Sequence, residues 1–100
     1  MATPDILEIA SRYKATLERN MHPLAIILFG SHARGNPGPE SDIDIAVVVK
    51  GVEGDYLDFQ ASLWKASRDV DDRIEPVLIV EGSDPSGFYE SIKSYGQQIV

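Results

Sequence analysis

Residues 24–49 constrain this chain more than any other stretch. Leu24-Ala25-Ile26-Ile27-Leu28-Phe29 is apolar at every position and stops at Gly30-Ser31. A strand without polar alternation is covered on both faces, so this run is expected inside a sheet with packing on either side. A loop carrying Gly35, Pro37, Gly38 and Pro39 follows, and the chain re-enters an apolar run through Ser41-Asp42-Ile43-Asp44-Ile45. Alternate strand residues share a face, so Asp42 and Asp44 point one way while Ile43 and Ile45 point the other. Two carboxylates held side by side repel, and a fold seldom keeps such a pair without positive charge between them. A divalent metal is the expected counter-charge, with the Gly-Ser turn beside it as a place for phosphates.

The flanking segments supply layers for those strands. Thr3-Pro4-Asp5 opens a helix expected over about 4–19, with a hydroxyl N-cap, proline at the first helical position and an acid at the positive end of the dipole. Ile6, Ile9, Ala10, Tyr13 and Leu17 recur at spacings of three and four and form its core stripe. A second helix is expected over about 55–68, with Leu57, Ala61, Trp64 and either Ala66 or Leu63 facing inward. The third strand, about 73–80, contains Pro76, whose missing N–H favours an edge position. Asp84-Pro85 repeats the cap-then-proline opening for a last helix over about 85–95, closed by Gly96, and 97–100 reads as a tail. The expected fold is α/β (α+β): a small mixed three-stranded sheet, strands about 24–29, 42–49 and 73–80, flanked by three helices in one domain over 1–100.

Connection lengths place a third acid. The loop of about ten residues joins antiparallel neighbours, whereas the helix between the second and third strands joins parallel ones. The start of the third strand then lies beside Asp42 and Asp44, and Glu75 sits there. Adjacent strands run ~4.8 Å apart, within reach of a glutamate leaning toward Asp44. Three acids and a glycine turn converge on one corner.

Composition narrows the function classes. With 43% hydrophobic and 25% charged residues the chain is of ordinary globular type. It has no cysteine, which excludes thiolate metal sites and thiol nucleophiles and suits a reducing, cytoplasmic setting. No apolar run approaches the ~20 residues of a membrane span, and the N-terminus lacks the basic start of a signal peptide. A net charge of −7 argues against a broad nucleic-acid surface and suits a basic protein partner or bound metal ions.

Gly30-Ser31-His32-Ala33-Arg34-Gly35 followed by Ser41-Asp42-Ile43-Asp44-Ile45 resembles the Gly-Ser-x-Ala-Arg-Gly … Ser-Asp-x-Asp motif of minimal nucleotidyltransferases of the polymerase-β superfamily. Arg73-Ile74-Glu75-Pro76-Val77-Leu78 is similar to the third-acid strand of members of that group, and the resemblance spans nearly the whole chain. It implies that Gly30 and Ser31 hold the β- and γ-phosphates of ATP and that Asp42 and Asp44 bind two Mg2+ ions. Glu75 would complete the metal and catalytic acids where the family more often has aspartate, and orient or deprotonate the attacking hydroxyl. Two ions ~3.5–4 Å apart stabilise both the entering and leaving oxygens of an in-line displacement. The resemblance further implies a helical HEPN-type toxin as partner, with this chain as the antitoxin that transfers AMP to one of its tyrosines.

Several positions carry a second reading. Arg34 either touches a phosphate or pairs with a nearby acid. Glu75 either serves as third carboxylate or pairs with Arg73 or Arg34. His32 reads as an exposed loop residue, and Ser41 as a cap for Asp42. At the level of the whole chain, the alternative is an acidic binding module that neutralises a toxin by contact. Transfer to a small-molecule hydroxyl, such as an aminoglycoside, is disfavoured because no acceptor domain follows the last helix.

Overall fold

The computed structural model describes residues 2–84 and 86–100. Helix α1 (Pro4–Leu17) begins as its capping sequence dictates, with Thr3 Oγ1 accepting from the Ile6 N–H at 3.4 Å. Its stripe of Ile6, Ala10, Tyr13 and Leu17 is buried. Strand β1 (Ala25–Phe29) pairs antiparallel with β2 (Ile43–Val49), and β2 pairs parallel with β3 (Ile74–Val80) through the crossover helix α3 (Tyr56–Arg68). Pro76 lies on β3, an edge strand, as its lost N–H requires.

Among the described residues the sheet has four strands, in the order β3-β2-β1-β4, where the sequence predicts three. The addition is β4 (Gln97–Gln98), read from sequence as a tail, which pairs antiparallel with β1 at Ile27 and Leu28. Two polar residues carry no strand periodicity; they pair because β1 offers them an otherwise open edge. Gly96 permits the approach. A Cβ there would lie 2.6 Å from the Ile92 carbonyl oxygen and 2.7 Å from Ile27 Cγ2.

The alternation of β1 and β2 feeds two layers. Ile26, Leu28, Ile43, Ile45 and Val47 pack with the α1 stripe and Leu63 of α3. Ile27, Phe29, Ala46 and Val48 face the other way, toward Ile92 of α4 (Phe88–Tyr95). Asp44 shares that second face by its two-residue spacing from Ala46.

Helix α3 is turned from the predicted side: of the positions expected to face inward, the alternatives Leu63 and Ala66 do so, and Leu57, Ala61 and Trp64 do not. Leu63 and Ser67 are buried and Phe59 and Ala66 half-buried, whereas Leu57 is 73% exposed, Trp64 40% exposed, and Ala61 also faces solvent. Both stripes have helical spacing, and the contact that decides between them is distant in sequence. Tyr13 Oη donates to the Leu63 carbonyl at 2.9 Å, docking α3 on α1 along the Leu63 side. Burial pushes the Tyr13 phenol above its usual range.

Helix α4 starts at Phe88 rather than 85, and Pro85, half of the predicted opening, lies outside the described residues. Asp84 still caps it, accepting from the Tyr89 N–H at 3.0 Å and the Glu90 N–H at 3.3 Å. An intervening turn, with the Gly87 N–H donating to the Asp84 carbonyl at 3.1 Å, delays the helix. Among the described residues no helix is long and apolar enough to cross a membrane.

Candidate active site

The turn after β1 is a short helix rather than a bend. Phe29 leads directly into α2 (Gly30–Arg34). Gly30 takes a left-handed backbone (φ 74), and a Cβ at this position would collide with Asp44 Oδ2. Glycine is therefore demanded twice, by conformation and by the carboxylate pressed against it. The register explains the closeness: Phe29 pairs with Asp44 across β1 and β2, so the chain leaves β1 beside that acid.

Asp44 is also the parallel register partner of Glu75, as the crossover connection predicts. Asp42 stands exposed just before β2, and Asp44 and Glu75 are half-buried. Their electrostatics show mutual proximity. Burial, then the neighbouring Asp42, holds the Asp44 carboxyl above the usual carboxylate range, with His32 pulling the other way. Glu75 is raised as well, first by a hydrogen bond with Asp42, then by burial and by the charges of Asp42 and Asp44.

Among the described residues none of the three acids is in a salt bridge. Among the described residues the ion pairs are Lys14–Glu18, Arg73–Asp71 and Lys93–Glu90. Arg73, a predicted alternative partner of Glu75, donates instead to Asp71, at 3.0 Å. Arg34, the other alternative, lies over the Tyr95 ring with its guanidinium carbon 3.8 Å from the ring centre. The acids thus form a concentrated negative corner.

As a donor set, three carboxylates without sulfur or a second histidine fit Mg2+, a hard cation that takes a few carboxylates plus water and phosphate. Among the described residues no three such side chains close into a preformed cage. A groove of about 420 Å³ between α1 and α3 is lined in part by Leu17, Met21, Phe59 and Ala66, residues of the other layer. The acids belong to an open corner and not to that groove.

Three residues around the site differ from their sequence reading or were not legible there. His32 is buried rather than exposed, its Nε2 lying 3.4 Å from the Ser41 carbonyl oxygen, and it ties α2 to the segment just before Asp42. Ser41 does not cap Asp42: its Oγ accepts from the Gly38 N–H at 2.6 Å and closes the loop. Tyr95 was missed. Its hydroxyl accepts from the Gly30 N–H at 3.1 Å, a contact between residues 65 positions apart. The signal available was its place on the stripe of Phe88 and Ile92, at spacings of four and three.

Comparison with known proteins decides the family. The model of the polymerase beta nucleotidyltransferase family matches residues 12–100. This chain belongs to that family. The nucleotidyltransferase is 28% identical over 101 residues to a Methanocaldococcus jannaschii protein named "Putative protein adenylyltransferase MJ0141", covering 95% of this chain and 99% of the relative. Its fold matches a crystal structure of a toxin–antitoxin with AMP-PNP at a TM-score of 0.70 and 25% identity, over 91% of this chain and 72% of that one. A mutant of the toxin–antitoxin MntA-HpeT aligns at a TM-score of 0.63 and 26% identity, over 87% of this chain and 68% of that one. The chain is accordingly a nucleotidyltransferase, and its fold is similar to that found in toxin–antitoxin structures.

Proposed function

We propose that this nucleotidyltransferase moves AMP from ATP to a hydroxyl of a partner protein, a HEPN-type helical toxin for which it serves as antitoxin. The observation that carries the reading is the pairing of Asp44 with Glu75, with Asp42 beside them, against the Gly30 turn. The adenylyltransferase name of one relative and the AMP-PNP and toxin–antitoxin descriptions of two others support it.

In this reading the turn of Gly30, Ser31 and Arg34 receives the β- and γ-phosphates, Ser31 and Arg34 as donors and Gly30, whose N–H is given to Tyr95 Oη, by allowing close approach of the backbone. Asp42, Asp44 and Glu75 would hold Mg2+, which when bound neutralises charge building on the entering and leaving oxygens. The acceptor oxygen attacks the α-phosphorus, the bond to the bridging oxygen breaks, and pyrophosphate departs. Glu75 takes the hydroxyl proton.

The test uses the protein encoded beside this chain as acceptor, with ATP labelled at the α-phosphate and Mg2+. Transfer of label, with AMP found on a hydroxyl by mass spectrometry, is expected from the wild type and not from the D42N/D44N variant. Equal labelling by both would remove the acids from the chemistry. The net charge of −7 favours one rival, neutralisation by contact alone; there the double variant would still suppress toxicity although no label moves.

A further inference from the structure

Helix α4 does more than cover the second layer of the sheet. It ends on Tyr95, and Gly96 then presses the backbone against Ile27 and Leu28. The Phe88 ring meets Phe29 edge to face, with ring centres 5.5 Å apart, so α4 is clamped at both ends to the strand that delivers Gly30. The consequence is a three-member arrangement at the mouth of the site. Tyr95 Oη accepts from the Gly30 N–H at 3.1 Å, and the same ring carries the Arg34 guanidinium at 3.8 Å.

That hydroxyl has one use left. A phenol accepts and donates. Among the described residues the Gly30 bond is its sole hydrogen bond, which leaves the O–H proton free to be given. We propose that Tyr95 is a nucleotide-binding residue: its O–H donates to a terminal phosphate oxygen of the nucleoside triphosphate while its ring holds Arg34 against the same phosphates. This rests on the reading of Gly30, Ser31 and Arg34 as the phosphate-holding turn. Accepting from the Gly30 N–H polarises the phenol and strengthens its donation. Stacking on the ring restrains a flexible arginine before the ligand arrives, so less freedom is lost on binding.

Two variants separate the parts. Tyr95→Phe removes the O–H and retains the ring; Tyr95→Leu removes both. Binding of AMP-PNP with Mg2+ is measured by calorimetry, and KM for ATP and kcat by transfer assay, with melting curves confirming that each variant is folded. Loss of a hydrogen bond to a charged group predicts about tenfold weaker binding for Tyr95→Phe. The loss should appear in KM, with kcat within about twofold, because the phosphates it holds lie away from the reacting α-phosphorus. Tyr95→Leu is expected to bind more weakly again, and the additional loss should vanish when combined with Arg34→Ala, since the ring then has no cation to hold.

Unchanged or tighter binding by Tyr95→Phe overturns the proposal; tighter binding would mean that the hydroxyl obstructs the phosphate. So would a loss confined to kcat. Arg34→Ala measured alone tests the underlying reading. If it binds AMP-PNP as the wild type does, the phosphates sit elsewhere and the assignment of the turn fails with it. If Arg34→Ala weakens binding and Tyr95→Phe does not, only the role of Tyr95 is lost.

Discussion

Neutralising Asp44 should stabilise the fold while abolishing its chemistry. Asp44 is half-buried, pressed against Gly30, two residues from Asp42 on the same face and paired in register with Glu75. Positions two apart on a strand are separated by about 6.6 Å, and those on adjacent strands by about 4.8 Å. Two unit charges ~6 Å apart repel by about 0.7 kcal/mol at the dielectric of water and about 2.8 kcal/mol at an effective value of 20. Asp42 is exposed, so solvent screening keeps the figure near the lower end. Asp44→Asn preserves shape and removes the charge, for an expected gain of about 1 kcal/mol without metal, or roughly 4–8 °C in Tm for a domain of this size.

The pH dependence has a definite sign. A carboxyl whose folded pKa is raised contributes stability that is present below its unfolded pKa and lost as pH rises through the folded value. Asp44 and Glu75 are of this kind, so the wild type in chelator should lose stability on going from the ordinary carboxylate range toward neutrality. Asp71, hydrogen-bonded to Arg73, is lowered and acts oppositely, its contribution disappearing only in stronger acid. The difference between wild type and Asp44→Asn cancels Asp71 and isolates the site. Thermal melts from pH 4.5 to 8 in EDTA would show the gain growing with pH. Added Mg2+ should reverse the ranking, because only the wild type acquires binding free energy from the ion. A destabilised Asp44→Asn at pH 8, or a difference flat in pH, would refute the account of the acids as an uncompensated cluster.

Gly30→Ala places a Cβ on Asp44 Oδ2 in a backbone with φ of 74, so a loss of at least ~1–2 kcal/mol in urea denaturation is expected, together with loss of transfer. Wild-type stability in that variant would mean that the turn relaxes freely. Leu63→Ala should cost about 2–5 kcal/mol as a buried truncation. Leu57→Ala, at a position 73% exposed, should stay within about 0.5 kcal/mol; the reverse order would restore the helix face predicted from sequence.

Much of this protein follows from local pattern. The apolar runs of β1 and of β2 beyond Asp44, the Thr3-Pro4 cap, the edge position of Pro76 and the pairing of Glu75 with Asp44 all come from residue spacing and connection length. These are short-range properties: side-chain alternation, a missing N–H and the reach of a loop settle them before distant parts of the chain meet. What depended on packing was decided otherwise. The side of α3 that faces inward was chosen by a hydrogen bond between Tyr13 and Leu63, fifty residues apart, over an equally periodic stripe. Strand β4 exists because β1 has an edge to fill, and His32 is buried because α2 coils where a simple bend was expected. Tyr95 reaches Gly30 only once α4 lies on the sheet. Periodicity states which residues can share a face; which face is covered, and by what, is a property of the assembled layers.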